Sequence, residues 1–173
     1  MSRRYLNDFK RSANGEYVYT GNVYLFGDYK DSGVKLGALC GLCFASVIGS
    51  GFINAAGLNN TFYVIIPYIL EVACLFALCW NTVRLLWAKG ELREYIYKPV
   101  TRGIPSSAMA LSIFAGIGLI CSIIFILING FENKQIWCII YFILKIADLI
   151  FGILIFRLFK TFVFEQKKQS GNN

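Results

Sequence analysis

The chain has 173 residues, 57% of them hydrophobic and 16% charged, with a net charge of +7 and no histidine. Soluble domains run about 45–50% apolar and about 25% charged, so this balance argues against an ordinary aqueous core and points to lipid. Lack of histidine removes the commonest metal ligand and the usual neutral-pH acid–base group, and a basic excess between long apolar runs reads as positive-inside bias, not as a nucleic-acid surface.

Residues 1–35 are polar and mixed in charge and are expected to form a short cytosolic N-terminal segment. The opening MSRR is not followed by an apolar h-region, so no cleavable signal peptide is expected. Within GEYVYTGNVYLFGD, Tyr17 and Tyr19, then Val23 and Leu25, alternate around Thr20-Gly21-Asn22. Period-two alternation across a Gly-Asn pair predicts a β-hairpin. A lone hairpin is marginal in water, so it should rest on the membrane surface or on loops of the same face.

The first span is expected over 36–56, without a charged residue. Gly33, Gly37, Gly41, Ala45 and Gly49 recur every fourth position and so form a nearly straight stripe on a helix. Small residues let helices approach closely in lipid, so this stripe is a packing surface for a neighbouring span or for a second copy of the chain. The turn Gly57–Thr61 contains Asn59-Asn60-Thr61, an N-glycosylation pattern set too close to the bilayer to be modified.

The second span, 62–86, carries Pro67 and Glu71 and ends in the interfacial set Asn81, Arg84 and Trp87. The basic loop 87–106 holds Pro99 and Pro105, which disfavour helix at the residue before each, so a short surface helix over 90–97 and then a turn are expected. The third span, 107–129, is uncharged, with Ser112, Gly116, Gly118 and Ser122 as small contacts. The fourth, 136–160, carries Lys145 and Asp148 near its middle, and residues 165–173 read as a disordered cytosolic tail.

Lys and Arg set the orientation. The N-terminal segment, the central loop and the C-terminal end hold all of them except Lys145 and, in the two opposite turns, Lys134. The fold expected is therefore an all-α four-helix transmembrane bundle (residues 36–164), both termini cytoplasmic, capped by the hairpin and the central loop.

Glu71 lies nine residues beyond Phe62, and Lys145 nine beyond Ile136. Both spans start from the outer side, so at ~1.5 Å per residue each charge lies ~13–14 Å deep, near the middle of a ~30 Å core. Asp148 follows Lys145 by three positions and shares its face. Glu71, Lys145 and Asp148 thus form a candidate intramembrane charge cluster. It can serve as a pair fixing helix register, as a proton or ion relay, or as the answer to a partner subunit's charge. Two acids against one base leave a formal charge of −1, a surplus that lipid relieves by protonating one carboxylate.

Of the six cysteines only Cys40 and Cys43 have redox or metal spacing. With no second such pair and no histidine they read as small apolar residues, the alternative being a membrane thiol enzyme. Tyr17, Tyr19, Tyr24, Tyr29, Tyr95 and Tyr97 stand among basic residues and read as headgroup anchors. No phosphate loop, catalytic triad or HExxH motif occurs, so no catalytic residue, cofactor or metal is expected.

At GEYVYTG, NNTFYVIIPY and LREYIYKP the chain resembles a group of uncharacterised small four-span membrane proteins of Gram-positive bacteria. That resemblance implies a plasma-membrane location and brings no catalytic or binding residues. The function expected is a non-enzymatic accessory or interaction subunit of a membrane complex. Its expected partners are the lipid bilayer and either a protein subunit or a second copy of the chain, and no nucleic acid. The alternative is a small proton-coupled carrier that uses Glu71 and Asp148 as proton sites and Lys145 as counter-charge.

Overall fold

Backbone N–H and C=O groups in an apolar setting must pair within their own segment, and the four apolar runs satisfy this as α-helices. The computed structural model describes residues 9–11, 17–19, 21–27, 29–53, 57–130 and 135–167. Helices α1 (Tyr29–Phe52), α2 (Phe62–Trp87), α3 (Glu94–Asn129) and α4 (Gln135–Lys160) are each long and apolar enough to cross a membrane. They pack as a ring in which α1 touches α2 and α4, and α3 touches α2 and α4. The inward rows repeat at three and four residues, as in Val64, Pro67, Glu71, Leu75, Leu78, Thr82 and Leu85 of α2. Outward positions carry Ile, Leu, Phe and Trp, the inverse of a water-facing surface.

A small sheet closes one end of the ring. Strand β3 (Val23–Phe26) lies between β4 (Glu91–Arg93) and β5 (Phe164–Lys167), antiparallel to both, with Tyr24 opposite Leu92 and Gln166. Segments before α1, between α2 and α3, and after α4 therefore meet in one cap. Phe26 is buried there, stacked 4.6 Å from Phe162 and with Phe164 tilted against it at 5.3 Å, and Leu92 is fully buried. Tyr24 stacks on Tyr97 at 3.8 Å, and the Tyr29 hydroxyl donates to the Leu86 carbonyl at 2.6 Å. These tyrosines thus pack the cap itself, a role the headgroup reading did not include.

Three expectations are corrected at this end. The segments Tyr17–Tyr19 and Val23–Phe26 are strands, yet they do not pair with each other: β2 (Tyr17–Tyr19) pairs with β1 (Phe9–Arg11) instead. A two-stranded hairpin would leave Phe26 uncovered and one edge of β3 open, whereas β4 and β5 satisfy both edges. The chain after the fourth span is ordered as far as Lys167, because β5 supplies one of those edges. Residues 168–173 of the expected tail lie outside the described residues.

The third correction concerns α3. In place of a surface helix, a turn and a separate span, one helix of 36 residues runs through Pro99 and Pro105. At ~1.5 Å per residue it is ~54 Å long, well beyond the ~30 Å that a hydrocarbon core requires. Val100, Ile104, Ala108 and Leu111 make an unbroken buried row, which only a continuous helix can present. The hydroxyls of Thr101 and Ser106 donate back to the carbonyls of Tyr97 and Arg102, each at 2.8 Å.

Helix α1 starts earlier than the apolar run alone implies, because Tyr29 and Gly33 pack on Leu86 and the cap. At the opposite end Leu58, in a short 3-10 turn (Leu58–Asn60), plugs the bundle against Val64, Phe125, Ile126, Cys138 and Tyr141.

Candidate functional site

Inward positions of α4 run Cys138, Tyr141, Lys145, Asp148, Gly152, Ile155 and Phe159, alternating steps of three and four. Lys145 and Asp148 therefore occupy core positions of their helix, as Glu71 does on α2. Helices α2 and α4 stand diagonally across the ring, and the Lys145 ammonium donates to Glu71 Oε2 across that diagonal. Asp148 Oδ2 lies 3.9 Å from Lys145 Nζ, an ion-pair contact beyond hydrogen-bond reach. The side chains of Lys145, Glu71 and Asp148 are 1%, 0% and 0% exposed, so the bundle seals all three from its surroundings.

Aromatic rings complete the shell. Lys145 Nζ sits 4.9 Å from the Tyr68 ring centroid and 5.8 Å from that of Tyr141, within cation–π range. The Ser122 hydroxyl donates to the Gly118 carbonyl at 2.7 Å and lies 3.4 Å from the Tyr141 hydroxyl. Ser46 of α1 donates to the Leu144 carbonyl at 3.2 Å, one residue before Lys145. All four helices thus contribute to the polar centre. Glu71 Oε1 and both Asp148 oxygens accept no hydrogen bond from the described residues. Two carboxylates against one ammonium leave the set with a formal charge of −1 when all three ionise.

No family model, curated protein or solved structure matches this chain. The roles of its residues therefore follow from their geometry alone.

The small-residue stripe does not serve one partner helix. Leu86 of α2 packs 3.4 Å from where a side chain would begin at Gly33 and 3.3 Å at Gly37, while Leu144 of α4 approaches Gly49 at 3.8 Å. Gly41 has nothing within 4 Å, and Gly41 and Ala45 are exposed on the bundle surface. Residues every four positions drift around a helix, so the stripe passes from the α2 contact across open surface to α4.

Cys40 and Cys43 do not form a mutual pair either. Both are buried on the inner face of α1, and the Cys40 sulfur lies 3.5 Å from that of Cys79 on α2. All six cysteines are free thiols. Among the described residues no group of three or more His, Cys, Asp or Glu side chains is placed to hold a metal ion.

Sequence reasoning missed Gly152. A methyl group there would stand 2.1 Å from Ser112 Oγ and 2.9 Å from the Ala108 carbonyl, so it sets the closest approach of α3 to α4. Its signal was present, since Gly152 lies one turn beyond Asp148 on the inward row. Tyr68 and Tyr141 carried the same signal, one turn before Glu71 and Lys145 respectively.

Proposed function

We propose that this chain is a non-enzymatic integral membrane subunit, with the sheet cap on the cytosolic face of the plasma membrane, that works by associating with another membrane component. The enclosure of Glu71, Lys145 and Asp148 supports this reading most directly. A charge that answers a partner's must be offered at the surface, and a relay needs a path to water. Here the charges answer one another inside the chain. They tie α2 to α4 across the diagonal, which the ring packing of neighbours does not do. Partner recognition is then left to the cap and to the outward helix faces.

A tagged pull-down from native membranes in mild detergent, with the mass of the intact complex read directly, tests the proposal. A second protein at fixed stoichiometry is the expected result; a lone chain or a homodimer counts against it.

The surplus carboxylate favours a second reading, a proton-coupled carrier. Reconstituted vesicles should then show a proton-driven flux that Glu71→Gln and Asp148→Asn each abolish. An unchanged flux in folded variants removes this reading.

A further inference from the structure

An open groove of about 550 Å³ lies between the cap-side lengths of α1 and α4, on the outer side of the bundle. Ala38, Leu39 and Leu42 of α1 form one wall, and Leu154 and Leu158 of α4 the other. At its cap end stand two cations, Lys35 and Arg157, one from each wall. Both are exposed, and neither makes an ion pair with a described residue. Thr161 closes that end, its hydroxyl turned back onto the Leu158 carbonyl at 2.7 Å.

Charge and depth fit together. From Lys35 to Leu42 α1 descends ~10 Å, and from Arg157 to Leu154 α4 descends ~4.5 Å, at ~1.5 Å per residue, so Leu42 and Leu154 lie deeper than the two cations, on the acyl side of the headgroup level. We propose that this groove is a binding site for an anionic phospholipid, its phosphate held between Lys35 and Arg157 and one acyl chain laid along Leu42 and Leu154. Basic pockets between transmembrane helices recognise acidic headgroups in this way. The nearby acids do not oppose it from within the groove: Asp31 lines a neighbouring cavity with Lys30 and Lys89, and Glu165 another beyond Thr161.

A second copy of the chain is a poorer occupant. The only carboxylates within the apolar lengths of the four spans are Glu71 and Asp148, and both are sealed inside the bundle. Within the apolar lengths another copy therefore has no anion to offer, and at the level of the cations it has only cap acids such as Asp31, Glu91 and Glu165, of which Glu91 already faces Lys167, whereas every phospholipid carries a phosphate at that level.

The purified full chain, in mild detergent with equal amounts of dioleoylphosphatidylglycerol and dioleoylphosphatidylcholine, allows the first bound lipid to be identified by native mass spectrometry. Phosphatidylglycerol should be retained in preference. The double variant Lys35→Gln/Arg157→Gln should lose that preference by about tenfold to thirtyfold, from ~1 kcal/mol per basic residue. Lys89→Gln/Arg102→Gln, with the same change of charge elsewhere on the cap side, should keep it. Leu154→Trp fills the groove and should lower the first binding event for both lipids. Equal retention of the two lipids by the unmodified chain, or an unchanged preference in the Lys35/Arg157 variant, overturns the site. So does a dimer that persists at every lipid ratio and is broken by Leu154→Trp, since a second copy then fills the groove.

Discussion

Lys145 is the one buried basic side chain among the described residues. Its ammonium is buried, donates to Glu71, and is flanked by Asp148 and two tyrosine rings. Removing one member of a buried pair strands the other charge, at about 3–5 kcal/mol, whereas removing the whole set leaves nothing stranded. Lys145→Met is therefore expected to destabilise the protein strongly in a detergent melting assay. The triple change Glu71→Gln, Lys145→Met, Asp148→Asn should melt closer to the unmodified chain. A triple variant less stable than the single one would show that the charges serve something other than one another. That these three residues meet was legible in advance, because equal distances from two span starts place Glu71 and Lys145 at one depth. Their enclosure was not legible, because it depends on how four helices close around that depth.

At the scale of the element, contacts between helices are set by individual small side chains more than by stripes. The stripe on α1 is regular in sequence, yet its middle faces outward, while Gly152 of α4 takes Ser112 and the Ala108 carbonyl of α3 at close range. A methyl group at Gly152 meets the Ala108 backbone carbonyl at 2.9 Å, and backbone cannot rotate away as a side chain can. Overpacking of this kind costs about 1–3 kcal/mol. Gly152→Ala should lower the melting temperature clearly. Gly41→Ala, which meets nothing within 4 Å, should leave it unchanged. Equal effects at the two positions would contradict the packing described here. The long α3 makes the same point about context: local proline rules predict a break, and a buried row from Val100 to Leu111 overrides them.

The whole molecule is a bundle whose loose ends are gathered by one strand. Because β3 pairs with β4 and β5, the chain before α1 and the chain after α4 stand at the same end. The positive-inside bias, applied to described basic residues of this end such as Lys35, Lys89, Arg93, Lys98, Arg157 and Lys167, supports the proposed cytosolic cap. A fluorescent protein fused after Asn173 should therefore fold and emit, and alkaline phosphatase at the same point should be inactive. After Asn60 the phosphatase should instead be active. The reverse pattern would turn the topology over.

Sequence alone determined the four apolar helices and the common level at which Glu71 meets Lys145, because hydrophobic length and residue spacing act locally along a chain. Three matters were decided only by the tertiary structure: which strands pair, which small residues lie at a contact, and whether the charges are open or enclosed. Each depends on residues far apart in sequence competing for the same neighbours. Thus Phe26 is covered by Phe162 and Phe164 rather than by a hairpin partner, and Lys145 is answered by a glutamate 74 positions away.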